Sequence, residues 1–369
     1  MAHPTLLELT TGVTPSSPYY LGDGITDLLP EALAAHRFDD LFLVCGEGVH
    51  HLLARPLARR LEAAGLPVTL LVVPEGEHHK SWEALTDLCE RLVHAGATRQ
   101  SIVLALGGGM VSNLTGLAAG LLYRGIRYVD IPTTLLGLTD GTLSNKQAVN
   151  GRGGKNQFGL YHPPLLVWAD VAHLRTEPLA GHRSGLVEAL KNGLVHDAAW
   201  FDRLAGQLTP DLRAVHDDLL ETCHRIIRSK LAILATDPTE RSRAVVLEYG
   251  HTVGHAAEFL CGDLPHGVAV GIGMCAAARV GVRLGITPPE VLARQEWVLG
   301  DRLGLPTRLP PRCTPERVLG VIRTDNKRRS SEETRLILLD AVGSVRTGPD
   351  GDVETPVPES VLKTVLQEG

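Results

Sequence analysis

The stretch "SIVLALGGGMVSN" (Ser101–Asn113) decides the fold. "SIVLAL" is a short apolar run of strand length, and three glycines, Gly107, Gly108 and Gly109, stop it at once. "NLTGLAAGLLY" (113–123) then follows with helical spacing. Without Cβ atoms the glycines let a pyrophosphate approach the backbone. The helix start beyond them offers free N–H groups and a positive dipole end. The turn is not a GxGxxG fingerprint, so on these residues alone dinucleotide binding and a plain tight turn both stand.

The same alternation extends on either side. "DLFLVC" (40–45), "VTLLVV" (68–73) and "YVDIP" (128–132) read as strands, and "GVHHLLARPLARRLEAAG" (48–65) as a helix. "SWEALTDLCERLVHAG" (81–96) reads as a second helix, with Ser81 as its N-cap and Gly96 at its end. Buried strands alternating with amphipathic helices predict a parallel sheet covered on both faces, with ligands at the carboxyl ends of the strands. From Ser184 onward long helical patterns dominate, and "TRLILLDAV" (334–342) is the best remaining strand signal. A boundary near "RTEPLAGHRSG" (175–185) divides the chain into residues 1–178 and 179–369.

Composition narrows the classes. The chain has 369 residues, 44% of them apolar, enough for two cored domains. A net charge of −6 without a basic run argues against nucleic-acid binding. No apolar run reaches membrane-spanning length, and "MAHPTLLELTTG" lacks the pattern of a signal peptide. Six cysteines lie scattered with no CxxC pair, which predicts reduced thiols in a cytoplasmic protein.

Three further segments carry chemistry. "DGTLSNKQAVNGRGGKNQFG" (140–159) places Asp140, Lys146, Asn150, Lys155 and Asn156 in what reads as a glycine-rich loop. Its lysines and amides suit a phosphorylated or polyhydroxy substrate, and a solvated loop is the plain alternative. "SGLVEALKNG" sets Glu188 and Lys191 three apart on a helix, either a surface ion pair or a metal carboxylate beside a lysine. "LEYGHTVGHAAEF" and "LPHGVAVGIG" supply His251, His255 and His266. Two histidines at i, i+4 can ligate zinc, although no glutamate stands between them here as it does in HExxH. Glu258 reads as structural, orienting His255.

Together these segments resemble the sugar phosphate cyclases, the family of dehydroquinate synthase. The resemblance runs from about Glu75 to Lys327 on "EGEHHKS", "GGGMVSNLTG", "YRGIRYVDIPTTLLGLTD", "KQAVN…GKN", "GLVEALKNG", "GHTVGHA" and "HGVAVGIGM". It implies an α/β, Rossmann-like N-terminal domain that binds NAD and a mainly α-helical C-terminal domain. A divalent metal, Co2+ or Zn2+, is implied in the cleft between them. Motif matching implies Glu188, His251 and His266 as metal ligands. It implies Glu75, Lys80, Gly108, Gly109, Thr133, Thr134, Asp140 and Lys155 at the nucleotide. Lys146, Asn156, Lys230, Glu248, His255 and Lys327 fall to the substrate, and Lys146, Lys191, Asp140, Glu248 and His255 to catalysis. Arg124 matches an arginine lent to the neighbouring subunit's phosphate site, which implies a homodimer. The implied reaction is transient oxidation by NAD, phosphate elimination, reduction and an intramolecular aldol.

Departures from the family pattern bear on the substrate. Where dehydroquinate synthase has an arginine seven residues before the first histidine and an asparagine three before it, this chain has Ala244 and Glu248. The arginine would hold a substrate carboxylate in bidentate fashion. Its loss, with an acid added, repels a carboxylate and welcomes a neutral polyol. "SNKQAVN" with "EYGHT" resembles the branch that takes glucose 6-phosphate and supplies the carbocycle of 2-deoxystreptamine aminoglycosides. Rival readings are a 3-dehydroquinate or sedoheptulose 7-phosphate cyclase, a metal- and NAD-dependent polyol dehydrogenase, and an inactive sugar-phosphate sensor. Two further positions depart. Gly46 stands where the family has an aspartate for the nucleotide ribose, so either Glu47, next to it, substitutes or that contact is lost, and Val268 replaces the glutamate of "HGE".

Overall fold

The computed structural model describes residues 7–10, 17–237, 240, 242–323 and 334–368. They form two compact units, Met1–Arg152 with Asn156–Pro178, and Gly153–Lys155 with Leu179–Gly369.

The first unit is built on a seven-stranded sheet. Its strands are β1 (Leu7–Thr10), β2 (Pro18–Gly22), β3 (Leu41–Gly46), β4 (Val68–Val73), β5 (Ile102–Gly107), β6 (Arg127–Pro132) and β9 (Leu166–Asp170). They run in the order β1-β2-β9-β6-β5-β3-β4, with β1–β2 antiparallel and every other pair parallel. The period of two along β3 sorts its side chains. Phe42 and Val44 join a core with helices α3 (Trp82–His94) and α4 (Gly109–Leu121). Leu41, Leu43 and Cys45 join another with α1 (Leu29–Ala34) and α2 (Arg55–Ala63). Covered on both faces, β3 and β5 are buried along their whole length, which is why they read as unbroken apolar runs.

β3 leads outward to β4, whereas β5 lies on its other side and leads to β6. The strand order therefore reverses between β3 and β5, and open α/β sheets bind ligands at the carboxyl ends of such a pair. Ser81 caps α3 as expected, accepting from the N–H of Ala84 at 3.2 Å. α4 begins at Gly109, four residues before the sequence pattern places it. Of the three glycines that read as a turn, Gly107 ends β5, Gly108 is the N-cap of α4 and Gly109 opens its first turn.

The segment read as a glycine-rich loop is a hairpin of β7 (Lys146–Gly151) and β8 (Gly154–Tyr161). It lies against α4 where that helix has no side chains. A Cβ on Gly116 would meet the Gln147 side chain at 2.6 Å, and one on Gly120 would meet Leu160 at 2.8 Å.

The second unit is helical. Its site-bearing helices are α6 (Leu179–His196), α8 (Leu219–Leu234), α9 (His251–Cys261) and α10 (His266–Arg283), with α7 (Ala198–Gln207) between the first two. α9 and α10 cross at glycines: a Cβ on Gly254 would lie 2.9 Å from the Ala269 carbonyl oxygen. "TRLILLDAV" is broken into two short strands, Thr334–Ile337 and Leu339–Ala341, in separate pairings. All six cysteines are free thiols, and among the described residues no helix is long and apolar enough to cross a membrane.

Candidate active site

In the second unit α6 carries Glu188 and Lys191 one turn apart, both buried, so the surface ion-pair reading does not hold. Lys191 Nζ donates to Glu188 Oε2. The other oxygen, Oε1, is buried and has no hydrogen-bond partner. It lies 3.7 Å from His251 Nε2 and 3.7 Å from His266 Nε2. Both imidazoles are held by their far nitrogens. His251 Nδ1 is 3.3 Å from the Tyr249 carbonyl, and His266 Nδ1 is 3.0 Å from Glu258 Oε2. Carbonyl and carboxylate can only accept, so Nδ1 carries a proton in each ring, and in the neutral ring, the form that binds a metal, Nε2 presents a lone pair.

Three acceptor atoms thus converge, and a buried carboxylate oxygen left alone is costly. A tetrahedral zinc with bonds of about 2.0–2.2 Å spaces its ligands roughly 3.4 Å apart, close to this geometry. The residues fit a divalent cation. His255 joins the cluster, the ligand nitrogens of His251, His255 and His266 lying within 4.8 Å of one another.

Glu258 does not orient His255. It accepts from His266 and, through Oε1, from Lys155. Burial pushes its carboxyl up, but His266 and Lys155 outweigh that and hold it at about 2. For His266 burial works against the charged ring, and Glu258 and Glu188 more than offset it, raising its pKa. The carboxylate support missing at Val268 therefore comes from α9. Lys230 is buried on α8, Ala244 is buried, and Glu248 ends the turn Arg243–Glu248 that leads into α9. Lys327 lies outside the described residues.

In the first unit Gly108 is the N-cap of α4 and no side chain caps that end. A Cβ on Gly109 would meet nothing within 4 Å, so the helix N-terminus opens onto free space and fits a pyrophosphate. Thr133 is buried at the end of β6, and Thr134 caps the helix α5 (Leu135–Thr139), accepting from the N–H of Gly137 at 3.1 Å. Asp140 directly follows that helix. Lys80 is buried and donates to Asn156 Oδ1 at 2.5 Å. Asn150 binds the Asn156 N–H at 2.9 Å and Glu77 Oε1 at 2.9 Å. The structure thus joins Lys80, expected at the nucleotide, to Asn156, expected at the substrate. It adds Glu77, whose position beside Lys80 in "EGEHHKS" is its only sequence signal. Lys146 opens β7, half-buried. Arg124 is exposed on a turn where Tyr123, Arg124 and Gly125 take φ of 52°, 70° and 114°.

Comparison with known proteins agrees with this arrangement. Residues 70–184 match the 3-dehydroquinate synthase N-terminal family and residues 185–328 the 3-dehydroquinate synthase C-terminal family. The chain is 38% identical over 356 residues to a 2-deoxy-scyllo-inosose synthase of Streptoalloteichus tenebrarius, covering 95% of this chain and 92% of that protein. A crystal structure of 2-deoxy-scyllo-inosose synthase complexed with carbaglucose-6-phosphate, NAD+ and Co2+ superposes with a TM-score of 0.89 at 30% identity, covering 99% of this chain and 100% of that one. A 2-epi-5-epi-valiolone synthase from Streptomyces hygroscopicus, with NAD+ and Zn2+ bound, superposes at 0.82 with 27% identity, covering 100% of this chain and 99% of that one. The chain belongs to the 3-dehydroquinate synthase family of sugar phosphate cyclases, on its 2-deoxy-scyllo-inosose synthase branch.

Proposed function

We propose that the chain converts D-glucose 6-phosphate to 2-deoxy-scyllo-inosose and phosphate, as a carbon–oxygen lyase of 2-deoxystreptamine aminoglycoside biosynthesis. NAD+ and a divalent metal, Co2+ or Zn2+, are its cofactors. The observation that carries this reading is the Glu188 Oε1, without a hydrogen bond and set 3.7 Å from two imidazole nitrogens. When bound, the metal supplies Lewis acidity at a sugar hydroxyl, and NAD+ takes up a hydride and returns it.

The chain's own residues do the rest. Glu188, His251 and His266 hold the metal. Lys191, fixed on Glu188, presents its ammonium to a sugar hydroxyl, and His255, beside the ligands, moves a proton at the substrate. Lys146 and Asn156 hold the phosphate, and Lys230 binds the sugar. Gly108, Gly109, Thr133 and Thr134 take the nucleotide, with Lys80, Asp140 and Lys155 at its edges. Glu248 accepts hydrogen bonds from hydroxyls, and the alanine at 244 leaves a substrate carboxylate without a cation. Arg124 serves a second copy's phosphate in a homodimer. The exposed Trp82, Leu121, Tyr123, Phe158 and Tyr161 of the first unit support a covered surface there.

The test is phosphate release from glucose 6-phosphate with NAD+ and Co2+, with NADH absorbance followed in the same sample. Phosphate without net NADH is expected. NADH without phosphate would mean a polyol dehydrogenase, and neither signal would redirect the search to seven-carbon sugar phosphates.

A further inference from the structure

The ribose position of the first unit is filled in an unexpected way. Gly46 ends β3 and lies level with Val73 of β4, while Cys45 before it lies level with Leu106 of β5. Gly46 therefore stands at the carboxyl edge where the strand order reverses, one strand from the Gly107–Gly109 turn. Dinucleotide folds need an acidic group near this edge to accept from the ribose hydroxyls. Position 46 has no side chain to do so.

The Glu75 carboxylate occupies that space. A Cβ built on Gly46 would fall onto Glu75 Oε1, with Glu75 Cγ at 2.8 Å and Cδ at 2.9 Å. One built on Gly48 would lie 2.7 Å from Oε2. Two glycines in three residues thus make a seat for a side chain delivered from beyond the end of β4. The carboxylate is close enough to raise the Cys45 thiol, after burial, to about 11. Among the described residues Glu75 makes no hydrogen bond and no ion pair, so both oxygens remain available to a ligand.

We propose that Glu75 is the ribose-binding acid of this chain. It takes over the place of the absent residue-46 side chain, accepts from the 2′- and 3′-hydroxyls of the adenosine ribose, and selects NAD+ over NADP+ by repelling a 2′-phosphate. The proposal rests on the reading of the first unit as the NAD+ site.

The test is calorimetric titration of the full-length protein with NAD+, 2′-deoxyadenosine NAD+ and NADP+, with thermal unfolding of the nucleotide-free variants as the control. Charge-assisted hydrogen bonds predict about 10- to 100-fold weaker NAD+ binding for Glu75→Ala. Glu75→Gln should narrow the NAD+/NADP+ ratio, and the loss on removing the 2′-hydroxyl should shrink in both variants. Moving the carboxylate back, as Gly46→Asp with Glu75→Ala, should restore NAD+ binding to within a few-fold of wild type, whereas Gly46→Asp alone should not bind. Equal weakening toward all three nucleotides, or wild-type NAD+ affinity in Glu75→Gln, would overturn the proposal. A wild-type chain that binds none of the three would overturn the NAD+ reading itself, and this inference with it.

Discussion

The two units prepare their ligand sites by opposite means. The second brings side chains together: two carboxylates, three imidazoles and two lysines, all buried or half-buried, with Lys191 on Glu188, and Lys155 and His266 on Glu258. The first takes side chains away, at Gly46 and Gly48, at Gly107 to Gly109, and at Gly116 and Gly120 beneath the hairpin. A small cation is held by lone pairs at short range, which only side chains supply here. A dinucleotide is long and is bound largely by backbone N–H groups, which side chains would obstruct. The first kind of site should fail when an atom is removed, the second when one is added.

The largest effect should come from removal. Glu188→Ala leaves two imidazoles without their carboxylate and Lys191 buried without its anion. Metal content by elemental analysis should fall from stoichiometric to background, and phosphate release should drop by at least about 1,000-fold, the scale of losing a metal's Lewis acidity. Full metal content with full turnover would sink the ligand assignment. One step out, Glu258→Gln keeps the shape but loses the charge that orients His266 and pairs with Lys155. Metal affinity should weaken by roughly 10- to 100-fold, read by competition with a chelator, with the fold intact by circular dichroism.

Addition separates the units more sharply. Gly254→Ala puts a methyl 2.9 Å from the Ala269 carbonyl oxygen, between the two helices that carry the histidines. It should destabilise the chain by about 1–3 kcal/mol in denaturant titration. Gly109→Ala puts the same methyl into open space. It should leave the nucleotide-free stability within about 0.5 kcal/mol while weakening NAD+ binding several-fold. If Gly109→Ala bound NAD+ normally, the pyrophosphate would not approach that turn.

How far each site was legible in the sequence follows from the same contrast. His251 and His255 declare themselves because four-residue spacing on a helix is a local rule, and four strands of the first unit, β3, β4, β5 and β6, fall within a residue of their apolar runs, whereas β1, β2 and β9 are not read from the sequence. The partner of Glu258 was not legible. Spacing puts it near His255, but His266 arrives from the next helix, and a contact across helices has no period. The hairpin Lys146–Tyr161 was hidden by "GRGG", whose glycines read as loop although they form only its turn and edges. The seat of Glu75 is an absence at Gly46 and Gly48 filled from another strand. In the sequence it shows only as a missing aspartate.

The smallest prediction concerns carboxyl groups that the two units treat in opposite ways. Glu258, between a histidine and a lysine, is held ionised. Asp130, buried in β6 of the first unit with the Ser112 hydroxyl at 2.7 Å, is pushed by burial up to about 7. Glu177 is likewise raised by burial to about 7, with the Leu135 N–H, at 2.8 Å, opposing it. Neutral hydroxyls and amides do not offset the loss of water around a charge as cations do. A folded pKa above the unfolded one means the folded chain binds more protons, so this stability is fully present at low pH and is lost as pH rises through 7. Between pH 6 and pH 8 each group should cost the fold about 1.4 kcal/mol. Asp130→Asn should remove one share of that slope in denaturant midpoints measured across the range, and Glu177→Gln the other. An unchanged slope in Asp130→Asn would mean that Asp130 stays ionised in the sheet, and the first unit would then hold a buried charge without a cation, as the second unit does not.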